Sequence, residues 1–282
     1  MKQIGKHITL WVVFLLCACL VLAAFVAMLP EGEEPAPTEE TEDPEQTTET
    51  TYPPPTENVF TPLDFGYEGE YLTCLTAPCL RGIDVSAYQE EVDWEQVKES
   101  GVEFVIIRVG YRGSQKGVLF EDSCAQSHYQ GARAAGLKVG GYFFSQAITP
   151  EEAVEEAEFA MEITKDWELD MPLAYDWEII GPEERTKVVD ARLLTDISKA
   201  FCRRVEDAGL ETMVYFNPEQ SDKQMYLEEL TEFGFWLAMY TDHMDYEYKV
   251  DMWQYTCTGS VPGISGNTDI NLFFLYDETD EA

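Results

Sequence analysis

MPLAYDWEII, residues 171–180, is the stretch from which the rest of the chain can be read. An apolar run closing on two acids is the pattern of a buried strand that emerges at a surface. Residues two apart on a strand share a side, so Asp176 and Glu178 face one way and Trp177 the other. Two carboxylates about 6–7 Å apart along the backbone at a strand's end are an arrangement used to cleave glycosidic bonds. A strand running into an acidic turn looks the same, so the triplet carries weight only through its neighbours.

Those neighbours alternate. Upstream, RGIDVSAY (81–88) reads as a strand, and Asp93 caps a short helix that ends before Gly101. FVIIRVGYR (104–112) is a strand, Ser123–Ala135 a helix closed by Gly136, and KVGGYFFS (138–145) a strand. Thr149-Pro150-Glu151-Glu152 supplies the N-cap, N1 proline and acidic first turn of another helix. Downstream come a helix from about Val188 to Ala208, the strand TMVYFN (212–217) and a short helix around Lys223–Leu230. Then the helices stop. GFWLAMY (234–240), VDMWQYT (250–256) and GNTDINLFF (266–274) are strands separated by loops too short for long crossovers. Five βα units and three further strands give eight, the number that closes a barrel. The expected fold is therefore α/β, a modified TIM-like barrel, with its site at the C-terminal strand ends.

On that mouth the strands offer a mixture of acids and aromatic rings. Strand one carries Asp84, with Ser86 and Tyr88 on the same side; strand three carries Tyr142 and Phe144. Strand five brings Tyr215 and Asn217, strand six Trp236 and Tyr240, and the last strand Asp269 and Asn271. Rings stack on the apolar faces of pyranoses, while carboxylates and amides bind hydroxyls. An acid inside a buried strand, as Asp84 is, needs either a partner or a function.

RGIDVSAYQ, VDWEQVKESGVEFVIIRVGYR, GLKVGGYFFS, PLAYDWE, FWLAMY and the closing WQYT…GSVPGISGNTDIN together resemble the glycoside hydrolase family 25 muramidases, the Chalaropsis-type lysozymes. The resemblance runs from Arg81 to about Phe274. It implies four catalytic acids, Asp84, Asp176, Glu178 and Asp269, and a fold of five βα units followed by three strands. It implies hydrolysis of the β-1,4 bond between N-acetylmuramic acid and N-acetylglucosamine in peptidoglycan, whose glycan strands are the expected partner. Tyr88, Tyr142, Phe144, Tyr215, Trp236, Tyr240, Gln254 and Asn271 are the expected substrate-binding residues. A module that has kept the fold but lost turnover is the alternative; the complete set of acids favours the enzyme.

Composition narrows the field further. The 282 residues include 54 acidic and 18 basic ones, a formal net charge of −36, which nucleic acid and anionic membrane surfaces would repel. The seven cysteines show no C-x-x-C spacing and the three histidines lie far apart, so no zinc site is expected. Holding calcium or magnesium on the four acids would call for a glycine-bearing loop of backbone carbonyls, and none is evident. No metal or cofactor is expected.

The N-terminal side is of a different kind. Lys2, Lys6 and His7 precede Ile8–Leu29, which runs without a charge and is long enough at about 1.5 Å per residue to span a bilayer core of about 30 Å. Positive residues on the short side place it in the cytoplasm. Residues 1–30 are expected to be a single-pass signal anchor at the cell membrane, with the barrel extracellular. A cleaved signal ending at Val21-Leu22-Ala23, followed by secretion, is the competing reading. Residues 31–57, rich in Glu, Thr and Pro, read as a disordered stalk, and 58–80 as a lead-in to a barrel domain of 81–282. Cys74 and Cys79 either pair across the LTAP turn or remain thiols. A monomer is expected.

Overall fold

The structure, a computed structural model, describes residues 52–181 and 184–276. All of them belong to one unit, Thr51–Ala282. The expected anchor and most of the expected stalk lie outside the described residues. Among the described residues no helix is long and apolar enough to cross a membrane.

A hairpin of β1 (Phe65–Glu68) and β2 (Tyr71–Cys74) leads into β3 (Cys79–Val85), α1 (Trp94–Glu99), β4 (Phe104–Arg112), β5 (Leu119–Glu121) and α2 (Ala125–Ala134). Then follow β6 (Lys138–Ser145), α3 (Pro150–Thr164), β7 (Leu173–Trp177), α4 (Ala191–Glu206), β8 (Thr212–Phe216) and α5 (Pro218–Lys223). The chain closes with β9 (Gly234–Ala238), β10 (Met252–Gly259) and β11 (Thr268–Phe274). From β3 through β4, β6, β7, β8 and β9 to β10 the pairing is parallel, and β11 runs antiparallel to both β10 and β3, closing the ring. β5 pairs only with β4, outside that ring. The expected barrel of five βα units and three strands is what forms.

The reversed β11 matters for the site. Its first residues, not its last, reach the mouth, and Asp269 pairs in register with Asp84 near the end of β3. Strand alternation then sorts the side chains. Phe104 and Ile106 of β4, Ala174 of β7, Met213 of β8 and Met252 of β10 form an apolar plug in the interior. Gly82 is required there, because a Cβ at this position would lie 2.2 Å from the Phe104 ring. The opposite parity, such as Val105, Ile107, Leu173, Tyr175 and Val214, joins the larger cluster on the outer face, which includes Leu194, Ile197 and Phe201 of α4.

The helices start where their caps dictate. Asp93, Thr149, Asp190 and Asn217 each accept a backbone N–H in the first turn of α1, α3, α4 and α5. After β9 the described residues contain no further α-helix, and the outer faces of β10 and β11 are covered differently. Phe65 meets Trp253 edge-on at 5.1 Å, Phe60 meets Phe274 at 4.8 Å, and Leu72 is fully buried in the same cluster.

Several expectations are corrected. The first strand ends at Val85, because Ser86 caps a 3-10 turn over Ala87–Gln89; Tyr88 sits on that turn rather than on the strand with Asp84 and Ser86. The helix expected around Lys223–Leu230 begins earlier, at Pro218, because Asn217 and Gln220 form a reciprocal capping box; only a 3-10 turn covers Leu227–Glu229. The fold also begins before Asn58. Glu57 pairs with Tyr248, the Thr56 carbonyl accepts from Lys249 N–H at 2.8 Å, and the Tyr52 hydroxyl meets Lys199 Nζ at 3.2 Å. The tail of the expected stalk, residues 52–57, is therefore docked on the domain. Cys74 and Cys79 are free thiols, each beside a threonine hydroxyl.

Candidate active site

The mouth is a cavity of about 240 Å³ into which all four expected acids open. Asp84 and Asp176 are 6% exposed each, while Glu178 and Asp269 are half-buried. Asp176 is on β7 and Glu178 one residue beyond it, with Trp177 turned outward, its Nε1 donating to the Ala147 carbonyl at 3.0 Å. Sequence alternation and structure agree on these three residues.

Asp84 is held by amides. Gln254 Nε2 and Asn271 Nδ2 both donate to its Oδ2 at 2.8 Å. Those amides are oriented in turn, for Tyr215 and Tyr240 donate to Gln254 Oε1 at 3.0 and 3.1 Å, and Trp236 Nε1 donates to Asn271 Oδ1 at 2.9 Å. Trp236, Gln254 and Asn271 are almost wholly buried, so in this structure they orient Asp84 while presenting little surface to a ligand. Tyr88 and Tyr240, by contrast, are well exposed at the rim, and Tyr142, Phe144 and Tyr215 line the wall.

Asp176 is bound quite differently. Its Oδ1 is buried and has no hydrogen-bond partner. A buried acceptor without a donor is costly, and a ligand donor relieves that cost. Burial raises its pKa well above the ordinary carboxylate value, reinforced by Glu178, Asp84 and Asp269 and opposed by Arg108. The Glu178 carboxyl is raised by burial and then by Asp269. Asp84 is raised by burial and by Asp269 against the pull of its two amides, and Asp269 is raised by burial to about 6. Four carboxyls in one small mouth cannot all ionise cheaply.

Sequence reasoning missed four contributors. Arg108 is the one cation lining the mouth among the described residues; its Nε donates to the buried Asp122 at 2.8 Å, and its guanidinium lies 5.3 Å from the Tyr88 ring centre. Asp122 also accepts from Ala87 N–H at 3.0 Å, fixing the turn that carries Tyr88. Gln146 Nε2 donates to the Glu178 carbonyl at 2.7 Å, and Gln220 Nε2 to the Trp177 carbonyl at 2.8 Å. These two amides, following β6 and heading α5, grip the peptide groups on both sides of Glu178. Arg108 had a visible signal, a charge in phase with the inward Phe104 and Ile106. Gln220 had one too, in the N-P-x-Q start of α5. Asn217, expected at the mouth, is spent on capping that helix. Among the described residues no three His, Cys, Asp or Glu side chains are placed to share a metal ion.

The sequence profile of the glycosyl hydrolases family 25 matches residues 83–264. The chain belongs to glycosyl hydrolase family 25. Asp84, Asp176 and Glu178 fall inside the matched residues, and Asp269 lies just past them. Among curated relatives, the autolytic lysozyme of Clostridium acetobutylicum is 31% identical over 201 residues, which is 69% of this chain and 56% of that one. The family fold recurs in the modular autolysin LytC of Streptococcus pneumoniae, solved with a synthetic peptidoglycan ligand, with a TM-score of 0.61 at 24% identity over 69% of this family 25 chain and 46% of LytC. It recurs in a family 25 glycosyl hydrolase from Bacillus anthracis, with a TM-score of 0.58 at 21% identity over 72% and 92% of the two chains. The chain thus spans about half the length of the autolysins it matches.

Proposed function

We propose that this family 25 chain is a peptidoglycan muramidase, cleaving the β-1,4 bond between N-acetylmuramic acid and N-acetylglucosamine. The observation that carries this is the pairing at the end of β7 of Glu178, whose ionisation is suppressed, with Asp176, whose buried Oδ1 awaits a donor. Glu178 gives its proton to the leaving glycosidic oxygen. The substrate's own acetamido oxygen attacks the anomeric carbon from the opposite face, and Asp176 Oδ1 accepts the acetamido N–H, stabilising the cyclic cation that forms. Water then opens that ring, the ionised Glu178 takes the water's proton, and the configuration at the anomeric carbon is retained. Asp84 and Asp269 complete the acidic lining, and Asp84 is locked in place by Gln254 and Asn271.

The apolar Ile8–Leu29, flanked by Lys2 and Lys6, supports a single-pass membrane anchor with the barrel outside the cell, where peptidoglycan is. Glu178→Gln tests the chemistry, since amide for carboxyl hardly changes volume but removes the proton donor. Lysis of purified peptidoglycan should fall by about 10²–10⁴-fold with the fold intact. Near-normal lysis by Glu178→Gln overturns the assignment. No lysis by the wild-type chain leaves a peptidoglycan-binding module instead.

A further inference from the structure

Beside the catalytic mouth runs a second groove, of about 600 Å³, and the two share Tyr240. One wall comes from residues outside the family match: Tyr67, Glu70 and Tyr71 of the β1–β2 hairpin. Asp242, Thr256 and Thr258, from the segments following β9 and within β10, form the other wall. The groove falls within the size range of ordinary small-ligand sites.

Its chemistry is specific. Tyr67 is 63% exposed and Tyr240 54% exposed, two large rings left in water at the groove's edges. Thr256 and Thr258 line the groove with Glu70 and Asp242, and among the described residues no lysine or arginine lines it. Rings to stack on pyranose faces, flanked by groups that bond hydroxyls, suit a saccharide. The carboxylates of stem peptides would be repelled by these acids. The hairpin wall is also rigid. Arg81 lies over the Tyr71 ring at 4.6 Å and reaches Glu68 at 3.4 Å, while Phe65 is anchored on Trp253. A platform ordered in advance loses little entropy when it binds.

We propose that this groove binds further sugar units of the glycan strand, continuing from Tyr240 away from the cleavage point. The proposal rests on the muramidase reading for its ligand and makes the lead-in hairpin a determinant of chain-length preference. Binding is the readout that separates it from catalysis. In the Glu178→Gln chain, titration calorimetry should show an octasaccharide of the N-acetylglucosamine–N-acetylmuramic acid backbone binding about tenfold more tightly than the tetrasaccharide. Adding Tyr67→Ala should abolish that advantage and leave tetrasaccharide affinity unchanged. Thr258→Arg, which fills the groove from the opposite wall without touching the hairpin, should do the same. Equal affinities for the two lengths, or an advantage that survives both substitutions, overturns the groove proposal even where the wild-type chain lyses peptidoglycan. A wild-type chain that lyses nothing yet keeps the length preference would overturn only the activity.

Discussion

The two sides of the barrel are sealed in different ways. From β3 to β8 a helix lies between each strand of the ring and the next, and the outer face of the sheet packs on apolar side chains such as Leu194 and Phe201 of α4. Around β10 and β11 the cover is a two-stranded hairpin and Phe60, meeting Trp253 and Phe274. The hydrophobic requirement is the same on both sides, for apolar outer faces must leave water whatever covers them. What differs is what the cover contributes at the mouth. On the helical side the connections bring Gln146 and Gln220 to the backbone around Glu178. On the other side β10 and β11 bring Gln254 and Asn271 to Asp84, and the hairpin builds a groove wall. One side positions the backbone of Glu178; the other positions Asp84 and shapes the groove beside the mouth.

The strongest way to break this comparison is to remove one buried methyl cluster from each cover. Leu72 on β2 is fully buried and Leu194 on α4 is 1% exposed, so Leu72→Ala and Leu194→Ala should each cost about 2–5 kcal/mol. For a domain of this size that lowers the melting temperature by roughly 4–20 °C. A hairpin that is merely appended would give Leu72→Ala a loss below about 0.5 kcal/mol, and thermal unfolding of both variants distinguishes the cases.

A smaller effect of opposite sign sharpens it at the seam where β11 meets β3. Asp269 is pushed to about 6 in the folded chain by burial, above its ordinary 3.8. The folded state therefore holds this proton more tightly than the unfolded state. Stability from this group is fully present below about 4 and is lost as pH rises through about 6. Asp269→Asn removes the charge that the neutral-pH fold must carry, so its melting temperature at pH 7 should exceed wild type by a few degrees. The gap should close by pH 4. A melting temperature at pH 7 below that of the wild type would show that the ionised carboxyl is stabilising in place.

The same contrast explains what could be read from the sequence. The helical side announces itself through period-2 strands, N-caps such as Thr149-Pro150 and the closing glycine Gly136, which are local signals with local causes. The acids were legible because D-x-E at the end of one strand and x-D-x-N at the start of the last strand are short motifs whose geometry alternation decides. The hairpin was not, although GYEGEYLTC alternates its apolar residues about Gly69, which adopts a positive φ in a two-residue turn. Four-residue strands carry too little periodicity to stand out, and their purpose lies in Trp253 and Phe274, about 180–210 residues away. Gln146 was invisible for the same reason: it acts on the Glu178 backbone carbonyl just past β7, a contact that only the closed barrel creates.

The central claim is that Asp176 and Glu178 cleave on the muramic acid side of the glycan. Purified peptidoglycan digested by the chain, reduced with borohydride and hydrolysed, reports which sugar carries each new reducing end. The account predicts N-acetylmuramitol accumulating with time and absent from the Glu178→Gln digest. N-acetylglucosaminitol as the accumulating product, or no new reducing ends from the wild-type chain, would contradict it.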